Sequence, residues 1–204
     1  LRALEHVLGL TQKHMDGWCE AVILDCLASG YAVVGKKFVA NKRFEAARSA
    51  ACARTDTHFE ALILMHRAEM GHLCNADQRD HYWCDQAITL AKQINDIDLE
   101  ARLLRLAFSC RSTYDDPTTI DWGYRALERT RQTDDRYGLA NITHNLAVHL
   151  AKTSRIAEAQ ALALESLELY QALGDAMGVE AGTAILADLT EKGQATAACR
   201  DETA

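Results

Sequence analysis

The chain repeats itself about every forty residues, and small side chains carry the repeat. Ala28, Ala68, Ala107, Ala147 and Ala187 are spaced by 40, 39, 40 and 40 residues. Nineteen residues after each of the first four comes Ala47, Ala87, Ala126 or Ser166. Leu27, Arg67, Leu106, Leu146 and Leu186 precede the first ladder, and Glu20, Glu60, Glu100 and Glu180 recur within one residue of the same register. A fixed period of this length marks an array whose units bury their apolar faces against one another. Small residues recur where two helices pack closely.

Each unit reads as two helices. In the fourth, Leu139, Ile142, Leu146 and Leu150 follow helical spacing, Lys152-Thr153-Ser154 breaks it, and Ile156, Ala159, Ala163, Ser166 and Tyr170 carry a second stripe. Asp16, Asp56, Asp96, Asp135 and Asp175 stand where first helices should begin. There a carboxylate accepts from unpaired backbone N–H groups and faces the positive end of the helix dipole. Asp116-Pro117 predicts the start of a second helix, with proline as its first residue. The pattern predicts a lone second helix over 3–14, first helices over 17–34, 57–73, 97–112, 136–152 and 177–191, and partners over 37–54, 78–94, 117–133 and 156–173. No β pattern competes.

Asn145-Leu146-Ala147 with Ala159, Ala163 and Ser166 resembles the tetratricopeptide repeat. Leu27-Ala28, Tyr31, Ala40, Phe44 and Ala47 match that pattern more fully. Arg67, Gly71, Asp80 and Thr119 depart from it, at places that are usually apolar, aromatic or small. The unit is about 40 residues where the family's is 34, and an Asp replaces the proline that closes its second helix. HEAT-type arrays share the period, but their helix prolines are missing here. The resemblance implies an all-α solenoid of stacked antiparallel helix hairpins in a right-handed superhelix. It would form one array over residues 1–193, with units near 16–55, 56–95, 96–134 and 135–174, partial units at 1–15 and 175–204, and a flexible or truncated helix at 194–204. "LYQALGDAMGVEA" is similar to longer repeats in the sensory arms of bacterial transcription regulators and diguanylate cyclases.

Composition narrows the chemistry. A net charge of −7 argues against general nucleic-acid binding, despite the basic stretch Lys36, Lys37, Lys42, Arg43, Arg48 and Arg54, which reads as a solvated face. No run of eighteen apolar residues could cross a membrane, and no signal peptide stands at the start. Seven cysteines without a C-x-x-C pair read mostly as small buried residues in a reducing compartment, the cytoplasm. His66, Glu69 and His72, with Cys74 following, share a helix, but their steps of three rotate the last ligand away from the first, so no metal site is expected. No phosphate loop, nucleophile motif or cofactor motif occurs, and neither catalysis nor a cofactor is expected.

What remains is surface. The family's groove positions, carried over, are Asp25, Ser29, Met65, Glu69, Arg105, Phe108, Arg111, Asn141, His144, Asn145, Val148 and Lys152. The Arg and Asn residues among them suit an extended acidic peptide or a chain-terminal carboxylate, although such residues also serve simply to keep a helix face soluble. The leading expectation is a non-enzymatic protein- or peptide-binding module, the regulatory part of a larger bacterial signalling protein. A small-ligand or signalling-peptide sensor and a dimerisation scaffold are the alternatives. Residues 177–189 are apolar nearly all round, so an uncovered end is expected to pair with a second copy in a chain cut from a longer array.

Overall fold

The computed structural model describes residues 1–14, 17–74, 80–113 and 116–201, with backbone alone at 13, 14, 113 and 193–201. Among the described residues are ten α-helices and no strand. They are α1 (Arg2–His14), α2 (Gly17–Val33), α3 (Lys37–Ala53), α4 (Thr57–Leu73), α5 (Asp80–Gln93), α6 (Ile97–Thr113), α7 (Thr119–Thr130), α8 (Arg136–Lys152), α9 (Ile156–Leu173) and α10 (Ala176–Asp201). The chain divides into two compact units, Leu1–Tyr114 and Asp115–Ala204. In the first, each helix packs on the next, and α2, α4 and α6 also touch in turn. In the second, α7 to α10 pack consecutively, with α10 also reaching α8. This is an all-α, solenoid-like arrangement of helix hairpins.

The aspartates do what their positions predict. Asp56, Asp96, Asp135 and Asp175 accept from the backbone N–H groups of Phe59 (2.9 Å), Leu99 (2.9 Å), Gly138 (2.7 Å) and Gly178 (3.1 Å). Each such cap is worth about 1 kcal/mol. Asp16 lies outside the described residues. The recurring glutamates have a second use, tying a first helix to the one before it. Glu60 accepts from Arg48 at 2.8 Å, Glu20 from Gln12 at 2.9 Å, and Glu100 faces Lys92 at 3.8 Å.

One turn closure recurs five times among the described residues. The N–H groups of Lys36, Asp56, Asp96, Arg155 and Asp175 donate to the carbonyls of Tyr31, Ala51, Ala91, Leu150 and Tyr170 at 2.8–3.1 Å. The residue before each donor, Gly35, Thr55, Asn95, Ser154 or Gly174, is left-handed. This six-to-one bond over a left-handed residue is the Schellman closure, which satisfies carbonyls that a helix end would strand.

The two ladders form the close contacts. Ala28, Ala68, Ala107 and Ala147 are all 0% exposed, as are Ala47, Ala87, Ala126 and Ser166. Ala187 is exposed; among the described residues α10 packs on α9 and α8, and this position faces neither closely. On the same helix Leu189 is buried, Ile185 and Leu186 are half-buried and Met177 is exposed.

Three expectations need correction. Asp116-Pro117 forms a turn before α7 rather than its first residues. Asp116 Oδ1 accepts from the Thr118 N–H (2.8 Å) and hydroxyl (2.7 Å), an Asx turn that delays the helix to Thr119. Residues 177–191 do not end a helix, since α10 runs unbroken to Asp201 where no Gly-Asp closure interrupts it. Nor are most cysteines buried. Of the six described, all free thiols, Cys84 and Cys110 are buried, Cys19 and Cys74 intermediate, and Cys26 and Cys52 exposed.

Candidate functional site

The predicted groove residues fall on α2, α4 and α6 of the first unit and on α8 of the second, and each unit is taken by itself. In the first, Met65 and Phe108 are core residues. Asp25 is also buried, and its Oδ2 lies 2.7 Å from His66 Nδ1, which binds α2 to α4. That hydrogen bond outweighs the cost of burying the imidazole, so His66 titrates above the ordinary histidine range. Ser29, Glu69 and Arg105 are half-buried. Arg111 is buried, its Nη2 donating to both oxygens of the Asp85 carboxylate at 3.0 Å and its Nη1 to the Ala107 carbonyl at 3.4 Å. Its guanidinium is engaged within the fold.

In the second unit Asn141, His144, Asn145, Val148 and Lys152 follow one another along α8 at helical-turn spacing. Asn141 and Lys152 are exposed and the other three half-buried. Asn145 Nδ2 donates to Asn141 Oδ1 at 2.8 Å, which orients both amides. His144 sits edge-on to Tyr170, and its Nδ1 is shielded from water with no hydrogen-bond partner among the described residues. Burial holds this histidine below its ordinary range.

The basic stretch on α3 is partly occupied. Lys36 lies over Tyr31, Lys42 over Phe38, and Arg48 pairs with Glu60.

The sequence did not point to two further features, both in the first unit. The first is a cleft of roughly 450 Å³, solvent included, between α2, α3, α4 and α5. Its polar lining is Lys37, Asn41, Arg67 and Asp80, and Phe44 and Trp83 supply aromatic wall. The Arg67 guanidinium stacks 3.7 Å from the Trp83 ring centroid and also pairs with Glu45. Arg67 thus fills a usually apolar repeat position by lying flat on an aromatic face.

The second is a cluster of His72 on α4, Asp80 on α5 and Cys110 on α6. One ligand-type atom from each lies within 4.8 Å of the others. Asp80 and Cys110 are buried, while His72 is half-exposed. Gly71 makes room for it, since a Cβ there would collide with the Asp80 carboxylate. The buried Cys84 thiol hydrogen-bonds Cys110, and that bond first, then burial, pushes its pKa far up, so Cys84 keeps its proton.

In repeat register Gly71 and Cys110 occupy the place of Tyr31, Asp80 that of Ala40, and Cys84 that of Phe44. The signal was therefore present as a misfit to the repeat. It was not visible as spacing, because the three residues come from three helices. No model of a known protein family matches the chain, and no curated protein matches it.

Proposed function

We propose that the chain is a non-enzymatic binding module that holds a short extended segment of a partner protein along α8, as the regulatory arm of a larger bacterial signalling protein. The reading is supported chiefly by the row on α8. Asn141 to Lys152 spans eleven helical steps, about 16 Å, which matches about five residues of extended peptide. Asparagine amides can both donate to and accept from a peptide backbone, so they grip any sequence. The hydrogen bond between Asn141 and Asn145 fixes which amide atoms remain for a ligand. Lys152, at the end of the row, favours an acidic side chain or a terminal carboxylate.

The test is binding of a panel of five- to eight-residue peptides, acidic, neutral and basic, each with a free or amidated C-terminus. Asn145→Ala and Lys152→Glu should each weaken the best acidic binder at least about tenfold, with helicity unchanged, as the loss of a charge-assisted bond implies. Binding that survives both changes would overturn the α8 site.

A small-ligand sensor is the second reading, favoured by the cleft where Arg67 lies on Trp83. A compact anionic ligand held there would quench Trp83 and leave α8 variants unaffected.

A further inference from the structure

We infer that His72, Asp80 and Cys110 form a binding site for a single Zn²⁺-class ion between α4, α5 and α6. The inference does not rest on the peptide reading. Imidazole, carboxylate and thiolate are the three donor types that zinc takes. A hard ion such as Ca²⁺ or Mg²⁺ would require oxygen ligands instead. Around tetrahedral zinc the donor atoms stand roughly 3.3–3.8 Å apart, as bond lengths of 2.0–2.3 Å require. Three atoms already within 4.8 Å of one another need only small side-chain rotations to close on an ion.

Charge supports the same assignment. A thiolate, a carboxylate and a neutral imidazole carry −2 together, which one divalent ion cancels. A neutral site suits the interior, where net charge is costly to bury. Asp80 is 1% exposed, and its carboxylate lies against Gly71 of α4, where an added Cβ would collide with it. On binding, the Cys110 thiol gives its proton to solvent and its sulfur bonds the ion. The Cys84 thiol, which hydrogen-bonds Cys110, is the kind of outer-shell support that fixes a metal ligand. Half-exposed His72 and the cleft that reaches Asp80 leave an entry path for the ion.

The experiment uses the whole chain, reduced and stripped by a chelator, and titrated with Co²⁺ and then Zn²⁺. One equivalent of Co²⁺ should give thiolate-to-cobalt charge-transfer absorption with intense four-coordinate d–d bands, and one equivalent of Zn²⁺ should abolish both. Cys110→Ser should remove the charge-transfer band. His72→Ala and Asp80→Asn should weaken Zn²⁺ binding by at least 10- to 100-fold, the loss that removal of even outer-shell partners causes. Cys26→Ser, at an exposed thiol, should change nothing. A wild-type titration without a thiolate band overturns the site whether or not any variant folds. So does a band that survives Cys110→Ser in a protein of native circular dichroism.

Discussion

The first and second hairpins of the first unit share a backbone plan and differ in what fills it. In α2–α3 the pairing helices close over Tyr31, Ala40 and Phe44, which belong to one apolar core. In α4–α5 the equivalent places hold Gly71, Asp80 and Cys84, and α6 adds Cys110. An aromatic pair has been exchanged for a gap, a carboxylate and a thiol, while the alanine ladders on either side remain fully buried. The ladders therefore set the spacing of the helices, and the positions between them can take different chemistry. Arg67 tells the same story: it stands where the first hairpin has Leu27, and lies on Trp83 instead of entering a core.

The sharpest way to break this comparison is to truncate equivalent positions. Phe44→Ala should cost about 3–5 kcal/mol, the usual loss for a buried aromatic, whereas Cys84→Ala should cost about 1 kcal/mol in the metal-free protein. Equal losses in urea melts would mean that the second hairpin leans on its thiol as the first does on its ring.

Next in size is Gly71→Ala. The added methyl meets the Asp80 carboxylate, so the change should destabilise by about 1–3 kcal/mol even though alanine favours helix. Adding Asp80→Ala should return most of that loss. If the double variant is no better than the single one, the collision is not what excludes a side chain at position 71.

The Asp25–His66 bond, which joins the two hairpins, gives a pH-dependent comparison. His66 binds its proton more tightly folded than unfolded, so its contribution is complete below about pH 6.5 and fades as pH rises through the higher folded value. The stability advantage of wild type over His66→Gln should therefore shrink from pH 6 to pH 9. His144 has the opposite sign. Its folded pKa is depressed, so acidification below about pH 6.5 should destabilise wild type more than His144→Gln. Parallel pH profiles for the two variants would refute both assignments.

The smallest expected effect is at a turn. Thr55 is a β-branched residue in left-handed backbone where Gly35 serves the equivalent purpose one turn earlier. Thr55→Gly should stabilise by a few tenths to about 1 kcal/mol, relief of strain partly offset by a freer unfolded chain. A shift of the thermal midpoint downward would show that the Thr55 hydroxyl, bonded to the Arg54 carbonyl at 2.7 Å, matters more than the strain.

Most helices, four of their aspartate caps and the ladders up to Ala147 and Ser166 could be read from the sequence, because each is set by neighbours within one or two turns or by a regular period. Asp116 could not, since an Asx turn and a helix cap use the same residue types and differ only in where the next N–H points. The residues expected in a groove could be assigned to their helices from the sequence, but the partners that engage them could not. Asp25 and Arg111 proved to be committed to His66 and Asp85, partners 41 and 26 residues away. The His72–Asp80–Cys110 cluster was hidden for the same reason: its members meet only after three helices have packed. Along its own helix His72 has only His66 and Glu69 at motif spacing, whereas Asp80 and Cys110 reach it from neighbouring helices.

The recurring turn has a consequence for how such a chain can change over time. Its closure is a bond between two backbone groups, over a residue that is glycine at two of the five sites and threonine, asparagine or serine at the others. A joint made of main chain does not record which side chains fill the space it encloses. Mutation can then rewrite the filling of one hairpin without renegotiating how it connects to the next, provided the small residues of the ladders stay small. Repeats of this kind can drift apart in chemistry while remaining interchangeable in shape, and new sites are most readily gained at the positions between the ladders.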